Sequence, residues 1–123
     1  MEKRALILFA HGARDPRWAE PFQRLQTLIR TASPAVRVEL AFLELMSPRL
    51  PEIAQMLALD GIEQVTIVPV FLGQGGHVRR DLPEIIDGLR AEHPHMQFQV
   101  AKAVGEEDSV LAAMASYCLQ TLT

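Results

Sequence analysis

Residues 65–83, VTIVPVFLGQGGHVRRDLP, join the pattern of a buried strand to the side chains of a binding site. The first part is apolar and rich in β-branched residues, which is typical of a strand buried on both faces. Glycines at 73, 75 and 76 then interrupt it, and His77, Arg79 and Arg80 follow at once. Because open α/β sheets bind ligands just beyond the carboxyl ends of their strands, a strand over 65–72 is predicted to end at a binding site.

Three further apolar runs have the length and composition of strands, at 4–10, 36–43 and 96–103. Apolar residues at helical spacing follow each strand, so the order is βαβαβαβα with short connections. This order predicts parallel strands, right-handed crossovers and helices on both faces of the sheet. We therefore expect one α/β domain over residues 1–123, a flavodoxin-like three-layer sandwich with a four-stranded parallel sheet in the order 2-1-3-4.

Local signals predict where the helices begin and where the third strand is irregular. Asp15 and Asp108 are each placed to cap a helix, the first at its junction with Pro16. Pro69 has no N–H for a sheet ladder, which predicts a local irregularity inside strand three. Helix three is expected to be established after Pro83. Cys118 is expected to be a small buried residue on the last helix.

The composition excludes several classes of protein. Of the 123 residues, 49% are hydrophobic and 22% are charged, as in ordinary soluble proteins. The net charge of −3 argues against non-specific nucleic-acid binding. No apolar run reaches the ~20 residues that span a bilayer, so no membrane partner is expected. The single cysteine, Cys118, excludes an internal disulfide and fits a reducing compartment. We expect a cytoplasmic protein.

Two histidines and a carboxylate are predicted to meet at one edge of the sheet. His11 follows strand one and His77 follows strand three, and these strands are neighbours in the order 2-1-3-4. Glu44 lies at the end of strand two, beside them. Imidazole and carboxylate ligands without cysteine suit a divalent cation such as Co²⁺, Fe²⁺, Ni²⁺ or Zn²⁺. Three protein ligands leave coordination positions open, as a transient or catalytic site requires.

Four arginines occur in the same loops and favour an anionic ligand. Guanidinium groups bind carboxylates and phosphates in bidentate fashion, so a polycarboxylate or phosphate ligand is indicated. Gly75 and Gly76 are expected to shape the same pocket. The candidate substrate-binding residues are thus Arg14, Arg17, Arg79, Arg80, Gly75 and Gly76.

Three segments carry a resemblance to a known family. They are LFAHGARDPRW at 8–18, FLELMSPRLPE at 42–52 and VPVFLGQGGHVRRDLPE at 68–84. With the element order between them, the chain resembles the short CbiX-type sirohydrochlorin chelatases, small members of the class II tetrapyrrole chelatases. Ala13 stands where many relatives have serine, which touches neither histidine of the proposed metal site.

The resemblance implies a metal chelatase that inserts Co²⁺, or next Fe²⁺ and then Ni²⁺, into sirohydrochlorin during cobalamin or sirohaem synthesis. His11 and His77 correspond to the family's proposed metal-site histidines and would deliver the metal and accept protons; Glu44 corresponds to the glutamate of the middle motif. The metal is a substrate, and no permanently bound cofactor is expected. The resemblance also implies a homodimer with the active-site edge near its interface.

Two other functions remain open on the sequence. A metal or tetrapyrrole carrier without turnover would need the same ligands. Histidine phosphatases use an Arg-His-Gly motif after a strand, but Ala10 precedes His11, so the phosphate-binding arginine of that motif is missing.

Overall fold

The computed structural model describes residues 3–73 and 75–123, apart from the side chain of His77. The strands are β1 (Arg4–Ala10), β2 (Arg37–Phe42), β3 (Gln64–Pro69) and β4 (Gln97–Val100). The helices are α1 (Glu20–Ala32), α2 (Leu50–Leu59), α3 (Gly76–Glu92) and α4 (Asp108–Gln120). Short 3-10 turns at Pro16–Ala19 and Val104–Glu106 precede α1 and α4.

The four strands form one parallel sheet in the order β2-β1-β3-β4, as the sequence predicts. The two inner strands are β1 and β3, which pair in register through Ile7 and Ile67. The carboxyl ends of β1, β2 and β3 therefore lie side by side at one edge of the sheet. The predicted α/β fold class and strand order are confirmed.

The main core lies on the face of the sheet that α2 and α3 cover. Ile7, Phe9 and Ile67 from the inner strands pack with Leu57 of α2 and Ile86 of α3, all at most 1% exposed. Burial of each such side chain contributes about 1.5–3 kcal/mol.

A smaller cluster on the opposite face holds α1 and the turn before it. The rings of Trp18 and Phe22 are tilted by 41° with centroids 4.6 Å apart, and both pack on Phe42 of β2. Helix α1 thus covers the β1–β2 half of that face.

Strand β3 differs from its prediction in two ways. It ends at Pro69 without an irregularity, since Pro69 pairs in register with Phe9. The missing N–H breaks no ladder bond, because β4 pairs with β3 only as far as Ile67. The strand is also buried on one face only: Val65 is buried, whereas Thr66 is half-exposed on the other side. The prediction of burial on both faces is wrong, because α1 packs on the β1–β2 half of this side of the sheet.

Helix α3 begins at Gly76 and is therefore already established at Pro83, so that His77, Arg79 and Arg80 lie on a helix rather than in a loop. Pro83 lies inside it and cannot donate a hydrogen bond to the carbonyl of Arg79. Val78 and Leu82 are 3% and 7% exposed in the core. Their burial in the first two turns offsets the bond that Pro83 leaves unmade.

The last helix also differs from its prediction. Glu107, not Asp108, caps α4, and its carboxylate accepts hydrogen bonds from the Ser109 N–H and hydroxyl. These bonds, with the Lys102 ammonium 3.0 Å away, lower the pKa of Glu107 to about 2. Cys118 is exposed rather than buried. Among residues 3–73 and 75–123, no helix is long and apolar enough to cross a membrane.

Replacing Pro83 with alanine tests where α3 begins. Inside a helix, proline destabilises the folded state by about 3 kcal/mol relative to alanine. Proline also lowers the conformational entropy of the unfolded chain, which offsets part of this destabilisation. We expect Pro83→Ala to raise the free energy of unfolding by about 1–2 kcal/mol in urea titrations. Pro51→Ala is the matched control, because Pro51 lies in the first turn of α2, where no intrahelical bond is lost. Equal or lower stability for Pro83→Ala would instead place the helix start at Pro83.

Candidate active site

His11 and Glu44 are brought together by the backbone beyond β1 and β2. Past the last strand residues, the Leu43 N–H donates to the Ala10 carbonyl at 2.9 Å and the Glu44 N–H donates to the His11 carbonyl at 3.1 Å. These two backbone hydrogen bonds join the loops just beyond the ends of the strands. They fix the backbones of His11 and Glu44 side by side at the carboxyl edge of the sheet.

The two side chains meet there, with His11 Nε2 3.1 Å from Glu44 Oε1. They are 44% and 40% exposed, so a ligand from solvent can reach both. With Nε2 protonated, the imidazole donates to the carboxylate and leaves Nδ1 as its lone-pair donor. With Nε2 unprotonated, both atoms can bind one cation. Ligand bonds of about 2.1 Å across this separation subtend about 95°, close to an octahedral angle.

Gly12 allows this approach, and sequence reasoning assigned it no role. Its φ is +99°, a left-handed conformation that strains other residues. A Cβ on Gly12 would lie 1.9 Å from the Glu44 carbonyl oxygen. The position of Gly12 directly after the candidate histidine is the feature of the sequence that could have indicated this close approach. No other residue could occupy this position with the two loops in their present contact.

Phe71 places the loop after β3 against the same histidine. Its ring meets the His11 ring edge to face, with centroids 6.3 Å apart and an interplanar angle of 67°. The Gly105 N–H donates to the Phe71 carbonyl at 2.9 Å, and a Cβ on Gly105 would lie 1.9 Å from the Leu72 carbonyl oxygen. The 3-10 turn before α4 therefore holds the β3 loop in place beside His11.

His77 is the second residue of α3, which starts after this loop. Its side chain lies outside the described part of the structure, so its predicted meeting with His11 stays a prediction. Among the side chains that are described, no group of three or more His, Cys, Asp and Glu residues forms a metal site. His11 and Glu44 supply two described donors.

The four arginines lie in different settings. Arg17 donates to the Asp15 carboxylate at 2.8 Å, and this hydrogen bonding lowers the pKa of Asp15. Arg80 donates to the Gly76 carbonyl of its own helix at 3.2 Å. Arg14 is exposed in the loop after β1. Arg17 could bind an anionic ligand only after its hydrogen bonds to Asp15 are broken.

Arg79 borders a cleft of about 340 Å³ between α3 and the end of β4. Apolar side chains, among them Leu82 and Val100, form part of its wall. The charged residues on it are Arg79, Arg90, Lys102, Asp87 and Glu106. The cleft is lined by neither His11 nor Glu44. It can receive a part of a ligand that has an apolar body and a negative charge.

Gly75 and Gly76 are exposed at the start of α3, where Gly75 is the N-cap residue. Among the described residues, a Cβ on either would meet no atom within 4 Å, and Gly75 has an ordinary φ of −75°. Neither glycine is required by packing. Open space therefore lies in front of the helix N-terminus, whose free N–H groups favour anions.

Comparison with known proteins identifies the family of this chain. The CbiX family model matches residues 5–121, nearly all of the chain. The chain belongs to the CbiX family. A structure of a protein described as a cobalamin (vitamin B12) biosynthesis CbiX protein, from Marinobacter aquaeolei VT8, superimposes with a TM-score of 0.83 at 32% identity and covers 97% of both chains.

Curated relatives include the sirohydrochlorin cobaltochelatases of Methanopyrus kandleri and Methanococcus aeolicus, each 32% identical over 72% of this chain. The match spans 61% and 62% of the length of these relatives. SirB from Bacillus subtilis with Fe³⁺ has the same fold, with a TM-score of 0.75 at 23% identity over 92% of this chain and 44% of SirB.

Replacing Gly12 with alanine tests the contact between the two loops. The added methyl group would force the Glu44 backbone away and hold alanine at a positive φ. We expect Gly12→Ala to lower the free energy of unfolding by about 2–3 kcal/mol. Gly88→Ala is the matched control, since a Cβ there meets nothing within 4 Å inside α3 and should add up to about 1 kcal/mol. A Gly12→Ala protein as stable as the wild type would contradict the contact.

Proposed function

We propose that this protein inserts a divalent metal ion into sirohydrochlorin. The observation that carries the proposal is the His11–Glu44 pair, an accessible imidazole and carboxylate 3.1 Å apart at the carboxyl edge of a CbiX-family sheet. The family relatives named sirohydrochlorin cobaltochelatase support the choice of substrate.

The reaction asks two things of the protein. Insertion of M²⁺ into a free-base tetrapyrrole releases two pyrrole protons, so the charge balances and no oxidant or reductant is needed. The ion must also lose part of its water shell. Neutral imidazole can bind such ions or accept a proton near neutral pH. We assign His11 and Glu44 to holding the incoming ion, with His77 as the second imidazole that delivers the metal and accepts protons.

The arginines are proposed to hold the peripheral carboxylates of the macrocycle. Arg79 is the best placed on geometry, because it borders the cleft beside α3. Arg14, Arg17 and Arg80 are exposed and can reach substrate from the surrounding loops. Gly75 and Gly76 leave room for the substrate near the positive end of α3.

Cobalt is the first choice of metal, since the relatives that match are cobaltochelatases, with iron next and nickel third. Imidazole and carboxylate ligands accept all three, so selectivity is measured by comparing their insertion rates. We propose a place in cobalamin or sirohaem synthesis and no permanently bound cofactor. Residues 1–123 are proposed to act as one domain, in the cytoplasm.

A carrier without turnover is the alternative with the same ligands. A spectrum that changes on mixing sirohydrochlorin with the protein, but not further on adding Co²⁺, would favour it. A histidine phosphatase has less support, because the residue before His11 is alanine and the family match covers nearly the whole chain.

Variants at the metal site and at the proposed clamp should fail in different ways. With sirohydrochlorin and Co²⁺ followed by absorption, we expect His11→Ala and His77→Ala each to lower kcat at least 100-fold, since each removes a metal ligand. Arg79→Met should raise KM several-fold and leave kcat within about threefold, because it removes binding to a peripheral group. Circular dichroism checks the fold of each variant.

The histidine results decide the proposal. Full activity of either histidine variant would exclude the mechanism, whereas a loss of kcat in Arg79→Met would move that residue from substrate binding into the chemistry. Titration of Co²⁺ without tetrapyrrole should show weaker binding for His11→Ala and unchanged binding for Arg79→Met.

We also propose that the protein acts as a homodimer with the active-site edge near the interface. A sirohydrochlorin molecule is large beside one four-stranded domain, and a second subunit would enclose it. Size-exclusion chromatography with light scattering should give the mass of two chains. A stable and fully active single chain would contradict this assembly.

A further inference from the structure

The imidazole of His11 contacts two side chains that come from different loops. Glu44 Oε1 lies 3.1 Å from its Nε2, and the Phe71 ring meets it edge to face, with centroids 6.3 Å apart and an interplanar angle of 67°. Aromatic pairs favour this geometry and this range of distances. The metal insertion proposed above uses His11 and Glu44 as donors and gives Phe71 no part in the reaction.

The two neighbours restrict different motions of the imidazole. A histidine side chain turns about two bonds, and each orientation points its nitrogens in a different direction. A half-turn about the bond to the ring would place the carbon Cε1, which binds no cation, at Glu44 in place of Nε2. Glu44 therefore selects the edge of the ring that faces it, whereas the edge-to-face contact with Phe71 restricts the plane of the ring.

Phe71 can hold the imidazole because its own side chain is held. It is 7% exposed and belongs to the main core. Its ring also packs edge to face on Phe9 of β1, with centroids 5.8 Å apart. Phe9 is fully buried and lies two residues before His11, so one ring contacts both of them. Phe71 thus joins the half-exposed imidazole to the rigid core.

The backbone around Phe71 is fixed as well. Its carbonyl accepts a hydrogen bond from the Gly105 N–H at 2.9 Å, and the N–H of the preceding residue, Val70, donates to the Phe9 carbonyl at 2.8 Å. A Cβ on Gly105 would lie 1.9 Å from the Leu72 carbonyl oxygen, so the backbone on this side of the loop is closely packed. The ring is therefore held from the core and from its own loop.

We propose that Phe71 is a positioning residue for metal insertion, and that its ring fixes the plane in which the His11 imidazole presents Nε2 beside Glu44. The inference rests on the proposed function, because it gives the ring a part in the same reaction. A donor that is already oriented loses less conformational entropy when an ion binds, and displacements of about 1 Å can slow a reaction about 100-fold. The Phe71 side chain has no donor atom, so its effect is exerted through His11.

Phe98 provides a matched control. It is 6% exposed in the same core, and its ring lies beside another histidine, His93, with centroids also 6.3 Å apart. Phe98 pairs in register with Val65 near the start of β3, so this pair lies toward the amino edge of the sheet, opposite His11 and Glu44. Replacing either phenylalanine with leucine removes one core ring that contacts one imidazole.

Nuclear magnetic resonance of the metal-free protein tests the contact itself. An aromatic ring displaces the resonances of the protons beside it, so Phe71→Leu should move the His11 imidazole signals and leave those of His93 in place. Phe98→Leu should do the reverse. His11→Ala and His93→Ala assign the two sets of signals. Unmoved His11 signals in Phe71→Leu would overturn the inference.

The kinetic test uses sirohydrochlorin and Co²⁺ at a temperature where circular dichroism shows every variant to be folded. We expect Phe71→Leu to lower kcat about 10- to 100-fold, as the loss of a group that orients a metal-binding histidine does. Its KM for sirohydrochlorin should stay within about twofold of wild type, and so should kcat for Phe98→Leu. Phe71→Met replaces Phe71→Leu if the leucine variant does not fold, because flexible methionine fills core space without a planar ring.

Titration with Co²⁺ in the absence of tetrapyrrole gives a measurement that does not depend on turnover. We expect Phe71→Leu to bind Co²⁺ about 10-fold more weakly and with an altered visible spectrum, because that spectrum reports the geometry of the ligands. Phe98→Leu should keep the wild-type affinity and spectrum. A loss of core packing alone would affect both variants alike, whereas a positioning role affects Phe71→Leu only.

The outcomes separate this inference from the proposed function. Unchanged kcat and Co²⁺ binding in Phe71→Leu, or equal losses in Phe71→Leu and Phe98→Leu, would overturn the positioning role and leave the proposed function standing. A wild-type protein that inserts no metal would exclude the proposed function, and with it the part of Phe71 in that reaction.

Discussion

The contact between the loops after β1 and β2 is the constraint on which the candidate site depends. Gly12, at a φ of +99°, lies against the Glu44 carbonyl where no side chain fits. The Glu44 N–H bonds to the His11 carbonyl, and the side chains then meet at 3.1 Å. One glycine thus permits the loop contact that brings an imidazole and a carboxylate together at this edge of the sheet.

The strand order could be predicted because hydrophobic patterns and topology are strong signals. Apolar runs alternating with helical stripes leave few arrangements for a parallel sheet, and the order 2-1-3-4 placed His11 and Glu44 at one edge. The distance between their side chains could not be predicted in the same way. It depends on the backbone conformation of Gly12. The hydrophobic periodicity of the neighbouring strand and helix contains no information about that conformation.

The errors concern places where packing overrides local preference. Helix α3 was expected to be established after Pro83, and it begins earlier, at Gly76, where Val78 and Leu82 bury in the core. Cys118 was expected to be a small buried residue on the last helix, and it is exposed because no residue of α4 is buried. The sequence identifies an apolar helix correctly but does not say how the helix packs.

The loop beside His11 and the start of α4 share one structural junction. Gly105 bonds to Phe71, the residue that packs against His11, and it lies in the turn that precedes α4. A Cβ on Gly105 would lie 1.9 Å from the Leu72 carbonyl oxygen, so this contact leaves no room for even a methyl group. The close contact at Gly105 therefore fixes the loop after β3, as the close contact at Gly12 fixes the loop after β1. Both loops border the edge where the substrate is proposed to bind.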